Sequence, residues 1–415
     1  MPVNAPGLVA RALPMLARGD GPLGVRWTPH LLRMAPWALG FARHCEAGRV
    51  ERSALALGTL LRQAADGYDD VFAQAGVDVD GPMGEHAAGG ADPALAFAAR
   101  HGYLLLQPTP AAMAASEAGA QLRRAGLGEG LRMEAVDAAA VQELEPHLDV
   151  DRHAAAGAWW FPDGWFLRQP AALLRALRRG FLAAGGAEVR GEAVGFAGGA
   201  GAGVGVRTVR TDGIADGDDP SPREEETVWA DVAVVAVGAH SAALVRAAGD
   251  WVPLDTERGH SVEWAPGTEA VLGRAVCTAV GGFIMTPMAD GLRAAGLVEL
   301  GGTAAGLTKA RCDQLDRETR SLLGGAGAGA AGGLGPRDEA RDWLGFRPTL
   351  PDALPVIGRS PRSPHVLYAF GHQHVGWTLG GITGRLVAEL ATCREPSVDL
   401  APFRVDRFSR WGWAL

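Results

Sequence analysis

An α/β fold with an antiparallel sheet of its own is what this sequence predicts, and three observations lead there. A helix starting at Pro170 runs to Ala184, stops at Gly185-Gly186 and passes into a strand over residues 187 to 194, the order expected of an α/β unit. Residues 230 to 237, Ala-Asp-Val-Ala-Val-Val-Ala-Val, form a nearly continuous apolar strand, as expected where both faces of a parallel sheet are covered. Strand-like segments then recur at Gly259 to Trp264, Gly282 to Met285 and Leu292 to Gly301, consistent with an antiparallel sheet.

Taken in order, residues 28 to 76 read as helices. Leu31, Leu32, Ala35, Leu39 and Ala42 fall at helical spacing, as do Leu57, Leu60, Leu61, Ala64 and Ala65. A short strand spans Gly102 to Gln107. Pro110 suits a first helical turn and leads into a helix from Ala111 to Ala125. Val136 to Pro146 reads as a short capped helix stopped by proline. The aromatic cluster Trp159-Trp160-Phe161 to Trp165-Phe166 is either a pocket wall or ordinary core and strand packing. Residues 197 to 227 read as a Gly-rich and then acidic hairpin tip inserted at the surface. A helix follows from Arg311 to Leu323, and then a Gly/Ala tract from Gly324 to Gly335. Within that tract Gly327, Gly329 and Gly332 match GxGxxG, but no strand precedes them, so the tract reads as a loop.

Composition narrows the function. With 47% hydrophobic and 21% charged residues the chain reads as soluble and globular, and no apolar run reaches the ~18 residues that span a bilayer. A net charge of −8 argues against nucleic acid, and Arg175, Arg178 and Arg179 read as the solvated face of one helix. Cys45, Cys277, Cys312 and Cys393 lie far apart without a CxxC pair, which suits free thiols in a reducing cytoplasm. The first residues lack a basic start followed by an unbroken apolar core, so no secretory signal is expected.

The strongest chemistry lies near the C-terminus. Trp343-Leu-Gly-Phe-Arg347-Pro leads through Asp352 to Gly358, and Gly371-His372-Gln-His374-Val-Gly376-Trp377-Thr378-Leu379 follows. A guanidinium can hold a planar carboxylate by two parallel hydrogen bonds. Arg347 therefore suits a carboxylate ligand, or else a structural pairing with an acid such as Asp352. Gly371 and Gly376 allow close backbone approach to a flat ring, and a helix starting near Thr378 would aim its N-terminal dipole at that ring. His372-Gln-His374 is HxH, but no third metal ligand is spaced nearby.

These closing segments resemble those of the flavoprotein amino-acid oxidoreductases, the family of D-amino-acid dehydrogenase and glycine oxidase. The likeness extends from near residue 5 to about residue 408. It includes Leu144-Glu145-Pro146, the Val-Val-Ala-Val-Gly-Ala-His-Ser run ending at Ser241, Arg258-Gly-His-Ser261, and Asp290 to Glu299. The resemblance implies a Rossmann-like FAD-binding domain interleaved with an α+β substrate domain that carries the antiparallel sheet. It implies FAD contacts from Val194, Gly238, Gly371, Gly376, Trp377, Thr378 and Leu379, and substrate contacts from Arg347 and His260. Arg347 and His372 are the catalytic candidates. His372 could contact substrate or flavin or be a structural histidine, while Val194 and Gly238 could equally be plain sheet residues. His260 stands where D-amino-acid dehydrogenases usually carry tyrosine. No cysteine lies between Asp313 and Thr392, so the FAD is expected to be noncovalent. The implied reaction is hydride transfer from a D-amino acid or N-substituted glycine to flavin N5, with a quinone or oxygen as the electron acceptor.

Family members open with a strand, GxGxxG and a helix, a unit of roughly 30 residues, and residues 1 to 30 hold no such pattern. A start codon placed too far downstream, a separately encoded front, or a truncated flavin-free relative acting as a binding or partner protein would each account for this. The expected FAD-binding domain comprises residues 1–79, 160–245 and 341–400. The expected substrate domain comprises 80–158 and 246–340, with 401–415 as a tail. The expected location is cytoplasmic, with peripheral contact at the inner membrane an option.

Overall fold

The computed structural model describes residues 4–18, 21–74, 97–99, 101–198, 203–209, 225–278, 281–324 and 333–411. The Gly/Ala match at 327–332 and residues 199–202 and 210–224 of the expected insertion lie outside these residues.

Two sheets organise the site. The larger has nine strands among the described residues. Its order is Arg341–Thr349, Asp255–Glu263, Gly291–Leu300, Phe283–Met288, Ala275–Thr278, Tyr103–Leu106, Ala158–Phe161 and Glu134–Val136. Neighbours are antiparallel except Tyr103–Leu106 beside Ala275–Thr278. The ninth strand, Leu23–Val25, runs parallel to the end of Gly291–Leu300. Side chains alternate between the two faces. One face carries Leu104, Leu106, Val262, Val276 and Met285, buried against Cys312, Leu315 and Leu322 of the helix Lys309–Leu323. That helix is the expected one, and the antiparallel expectation for residues 259 to 301 is met with slightly longer strands.

The smaller sheet has Ala233–Val235 parallel to Val366–Phe370, which is antiparallel to Val356–Arg359. On one side the helix Gly376–Ala391 packs with the helices Ala47–Leu61 and Ala64–Gln74, burying Leu57, Leu60, Ile357, Leu379, Ile382 and Leu386. The contact is main chain to main chain. A Cβ at Gly67 would lie 2.3 Å from the Ile382 nitrogen, and one at Gly381 would lie 2.4 Å from the Gly67 carbonyl. On the other side, the helix Ser241–Ala247 and a three-stranded ribbon bury Val204, Val235, Leu244, Val245 and Tyr368.

That ribbon corrects two expectations. The strand expected over 187 to 194 runs instead from Glu192 to Gly198, and it pairs antiparallel with Val204–Val209, which pairs with Glu225–Ala230. Ahead of it, Glu188 accepts from Arg178 Nε of the preceding helix at 2.7 Å. Part of the presumed surface insertion is therefore sheet. The apolar run at 230 to 237 is also divided: Ala230 ends the ribbon, and Ala233–Val235 starts the smaller sheet. Apolar content alone cannot locate such a change of partner.

The expected domain boundary at residue 341 precedes a strand that belongs to the larger sheet, so the sheets divide after Thr349. Near the N-terminus the helix Leu8–Arg18 precedes the strand Leu23–Val25. The four cysteines form no disulfide. Among the described residues, no helix is long and apolar enough to cross a membrane.

Candidate active site

The parallel strands Ala233–Val235 and Val366–Phe370 end on the same side of the smaller sheet, where open α/β sheets bind ligands. Each passes into a turn that needs glycine. Gly238 has φ 56° and Gly371 has φ 84°, backbone that L side chains rarely adopt. A Cβ on Gly371 would also sit 2.5 Å from Leu350 Cδ1. The strand Arg341–Thr349 packs against both following turns, Gly238–His240 and Gln373–Val375. The strand that carries Arg347 thereby meets the Gly238 turn and the turn that follows Gly371.

Helix Gly376–Ala391 begins there, with Val375 as N-cap and no side chain capping it. Its first amides and the positive end of its dipole are left to the site. Beside it lies a cleft of about 350 Å³ lined by Val234, Ala236, Ala369, His372, Gly376, Gly380, Thr383 and Gly384. A Cβ on Gly384 would meet nothing within 4 Å, so the glycine face of the helix is open to the cleft. His372 is held by Thr383, with Nε2 3.0 Å from Oγ1. Burial lowers its pKa to about 4, so the imidazole is neutral near pH 7. Trp377 and Thr378 are exposed at the helix start, while the Leu379 side chain is fully buried in the helical core, leaving only its main chain for a ligand. Tyr68 donates its hydroxyl to the Trp377 carbonyl.

Arg347 is half-buried on the strand Arg341–Thr349. Its guanidinium lies flat over Gly259, where a Cβ would be 2.5 Å from Cζ. Nη1 donates to the Leu297 carbonyl at 2.8 Å. That carbonyl is available because the ladder breaks there. Glu299 pairs with Arg258 and Gly296 with His260, so Leu297 and Val298 together face Gly259, and Leu297 sits at φ 54°. A bulge of this kind re-aims the groups around it. Burial lowers the Arg347 pKa and the nearby Glu257 opposes that shift. Among the described residues, no carboxylate forms an ion pair with Arg347. The alternative partner Asp352 is taken by Arg407, with Nε 2.7 Å from Oδ2 and Nη2 3.3 Å from Oδ1.

His260 is not brought to Arg347. It pairs with Leu344 across the strand, whereas Arg347 pairs with Glu257, so the two project from opposite faces. His260 is 1% exposed with neither ring nitrogen hydrogen-bonded. Burial brings its pKa to about 4. Val194 lies on the ribbon: Ala193 pairs with Thr208 and Gly195 with Arg207, which makes Val194 the extra residue of a bulge, with its main chain out of the ladder. Among the described residues no group of three metal ligands occurs around His372 and His374 or elsewhere.

Sequence reasoning missed Glu257, Thr349 and Gln373. Gln373 Nε2 donates to Thr349 Oγ1 at 3.1 Å and to the Leu350 carbonyl at 3.3 Å, and Thr349 Oγ1 donates to Glu257 Oε1 at 3.2 Å. Burial raises the Glu257 pKa, against the pull of Arg347 and of the Thr349 bond. The available signal was an ionisable Glu257 inside a strand facing Arg347, but that needs the register.

The sequence family described as FAD dependent oxidoreductase (DAO) matches residues 29–390. A D-amino-acid oxidase of Bradyrhizobium diazoefficiens is 30% identical over 414 residues, covering 98% of this chain and 86% of that protein. A D-amino acid dehydrogenase of Paramagnetospirillum magneticum is 27% identical over 431 residues, again covering 98% and 86%. Among solved structures, glycine oxidase from Geobacillus kaustophilus superposes with a TM-score of 0.62 at 22% identity, over 85% of this chain and 82% of that one. L-proline dehydrogenase from P. horikoshii gives 0.65 at 16% identity, over 86% and 84%.

Proposed function

Because the chain belongs to the DAO family of FAD-dependent oxidoreductases, we propose that it oxidises an amino acid, a D-amino acid or an N-substituted glycine, with Arg347 holding the substrate carboxylate. One observation carries the assignment. Among the described residues, Arg347 is half-buried, donates to one main-chain acceptor and forms no ion pair with a carboxylate. A half-buried guanidinium with no bonded anion is costly, and a substrate carboxylate would supply a bidentate acceptor.

The residues present fit the flavin. The cleft beside the uncapped start of Gly376–Ala391 is floored by glycines whose side chains would fill it, and a flat ring needs that approach. The first amides of this helix favour negative charge at the ring edge nearest them. Gly371, Gly376, Trp377, Thr378 and the Leu379 main chain would hold the ring, with the Val194 main chain and the Gly238 turn toward the adenosine end. When bound, FAD supplies the hydride acceptor that converts the amino acid to an imino acid, which water hydrolyses to the oxo acid and ammonia. Arg347 fixes the α-carbon by gripping the carboxylate. His372 stays neutral and, held by Thr383, gives the cleft an uncharged polar wall. Oxygen or a quinone would be the final electron acceptor, and the 255–301 strands would form the substrate side of the molecule. Replacing Arg347 by alanine tests the reading: KM for the amino acid should rise at least roughly thirtyfold, from loss of a charge-assisted bidentate contact. An unchanged KM would remove the clamp.

A further inference from the structure

Arg347 and Glu257 are direct cross-strand partners on one face of the larger sheet, yet they point apart. The guanidinium is drawn over Gly259 toward the Leu297 carbonyl. The carboxylate is drawn the other way, accepting from Thr349 Oγ1 at 3.2 Å, while Thr349 is itself held by Gln373 at 3.1 Å. Glu257 is 6% exposed, so its charge has little water to screen it. Its second oxygen, Oε2, accepts no hydrogen bond among the described residues. A half-buried guanidinium and a buried carboxyl group thus stand side by side without joining. Each costs desolvation free energy until an opposite charge reaches it.

We propose that this split pair receives a zwitterion, with Arg347 taking the α-carboxylate and Glu257 Oε2 taking the α-ammonium. The inference rests on the amino-acid reading above and extends it to the amine. Thr349 and Gln373 are positioning residues, holding Glu257 off the guanidinium so that both charges stay available. Gln373 belongs to the same turn as Gly371 and Gly376 and takes φ 52°, unusual for a side-chain-bearing residue. The cofactor turn and the amine anchor are therefore tied through two hydrogen bonds. A ligand with a carboxylate and no amine brings a second negative charge beside Glu257 and leaves that carboxylate unpaired, so it binds less well. Selection of this kind comes from repulsion as much as attraction.

The test is calorimetric titration of the FAD-saturated protein with 2-methylalanine and with isobutyrate. The two share a carbon skeleton and differ in the amine, and 2-methylalanine has no α-hydrogen to lose, so no turnover intrudes. The wild-type chain should prefer 2-methylalanine by roughly tenfold or more. Glu257→Gln, which keeps an oxygen for Thr349, should abolish the preference and leave isobutyrate bound as well or better. Glu257→Asp should restore part of the preference. Thr349→Val should reduce it while leaving isobutyrate affinity in place. A preference of wild-type size in Glu257→Gln, or none in the wild type, would overturn the proposal. The carboxylate clamp would survive that result so long as Arg347→Lys weakens both ligands. Binding of neither ligand by the wild type would overturn both readings.

Discussion

At the scale of single residues, the site turns on what each ionisable group has for a partner. Arg347 drew attention from its place before Pro348 in the closing segment, where a guanidinium suits a planar carboxylate. The competing role, pairing with Asp352, is removed by Arg407, which grips both Asp352 oxygens. Arg407→Ala should therefore destabilise the fold by about 3 kcal/mol, as expected when one partner of a buried pair is removed, and leave KM unchanged. Thermal melting and steady-state kinetics on the same variant separate the two effects. His260 was expected at the substrate, but its placement depends on strand parity, which a glycine next to it does not reveal. Its folded pKa, about 4, lies below the ordinary value of 6.5. Its contribution to stability is thus fully present above pH 6.5 and is lost as pH falls toward 4. This amounts to on the order of 3 kcal/mol. His260→Leu should accordingly raise the melting temperature at pH 5 relative to wild type by more than it does at pH 8. Equal shifts at the two pH values would show that the ring is not held neutral by burial.

At the scale of elements, helix bounds were legible, while the bounds and partners of several strands were not. The helices beginning at Pro110 and Pro170 end within two residues of expectation, at Leu127 and Ala183, because proline and glycine mark helix ends locally. Strand pairing is a long-range property. The 192–198 strand joins an antiparallel ribbon, and Val356–Arg359 and Val366–Phe370 lie inside the closing segment, where loop-like proline and glycine hide them. The most constrained contact between elements is the crossing of Ala64–Gln74 over Gly376–Ala391. Gly67 and Gly381 meet there within 2.4 Å of where their Cβ atoms would be. Gly381→Ala should cost roughly 2 kcal/mol or more through overpacking against backbone, read as a lower denaturation midpoint. It should also move the start of the helix that faces the cleft, so flavin affinity should fall with it. Gly384→Ala, on the open face of the same helix, should leave stability within about 0.5 kcal/mol but weaken flavin binding.

At the scale of the whole molecule, one sheet presents the guanidinium and the other presents the turns and helix that suit a flavin, and the strand Arg341–Thr349 joins them. It belongs to the larger sheet by hydrogen bonding and packs against the turns of the smaller. Binding of FAD to such a joint should stabilise the fold by mass action, so the melting temperature should climb with FAD concentration; no climb would count against the cleft as the flavin site. The measurement that reaches the central claim most directly is anaerobic bleaching of the FAD-saturated protein by a panel of D-amino acids and N-substituted glycines. It should be run on wild type and Arg347→Ala side by side. Saturable bleaching by at least one of these compounds is expected in the wild type, with the apparent dissociation constant at least roughly thirtyfold higher in the variant. Identical saturation in the two proteins, or no bleaching by any of the compounds, would contradict that claim.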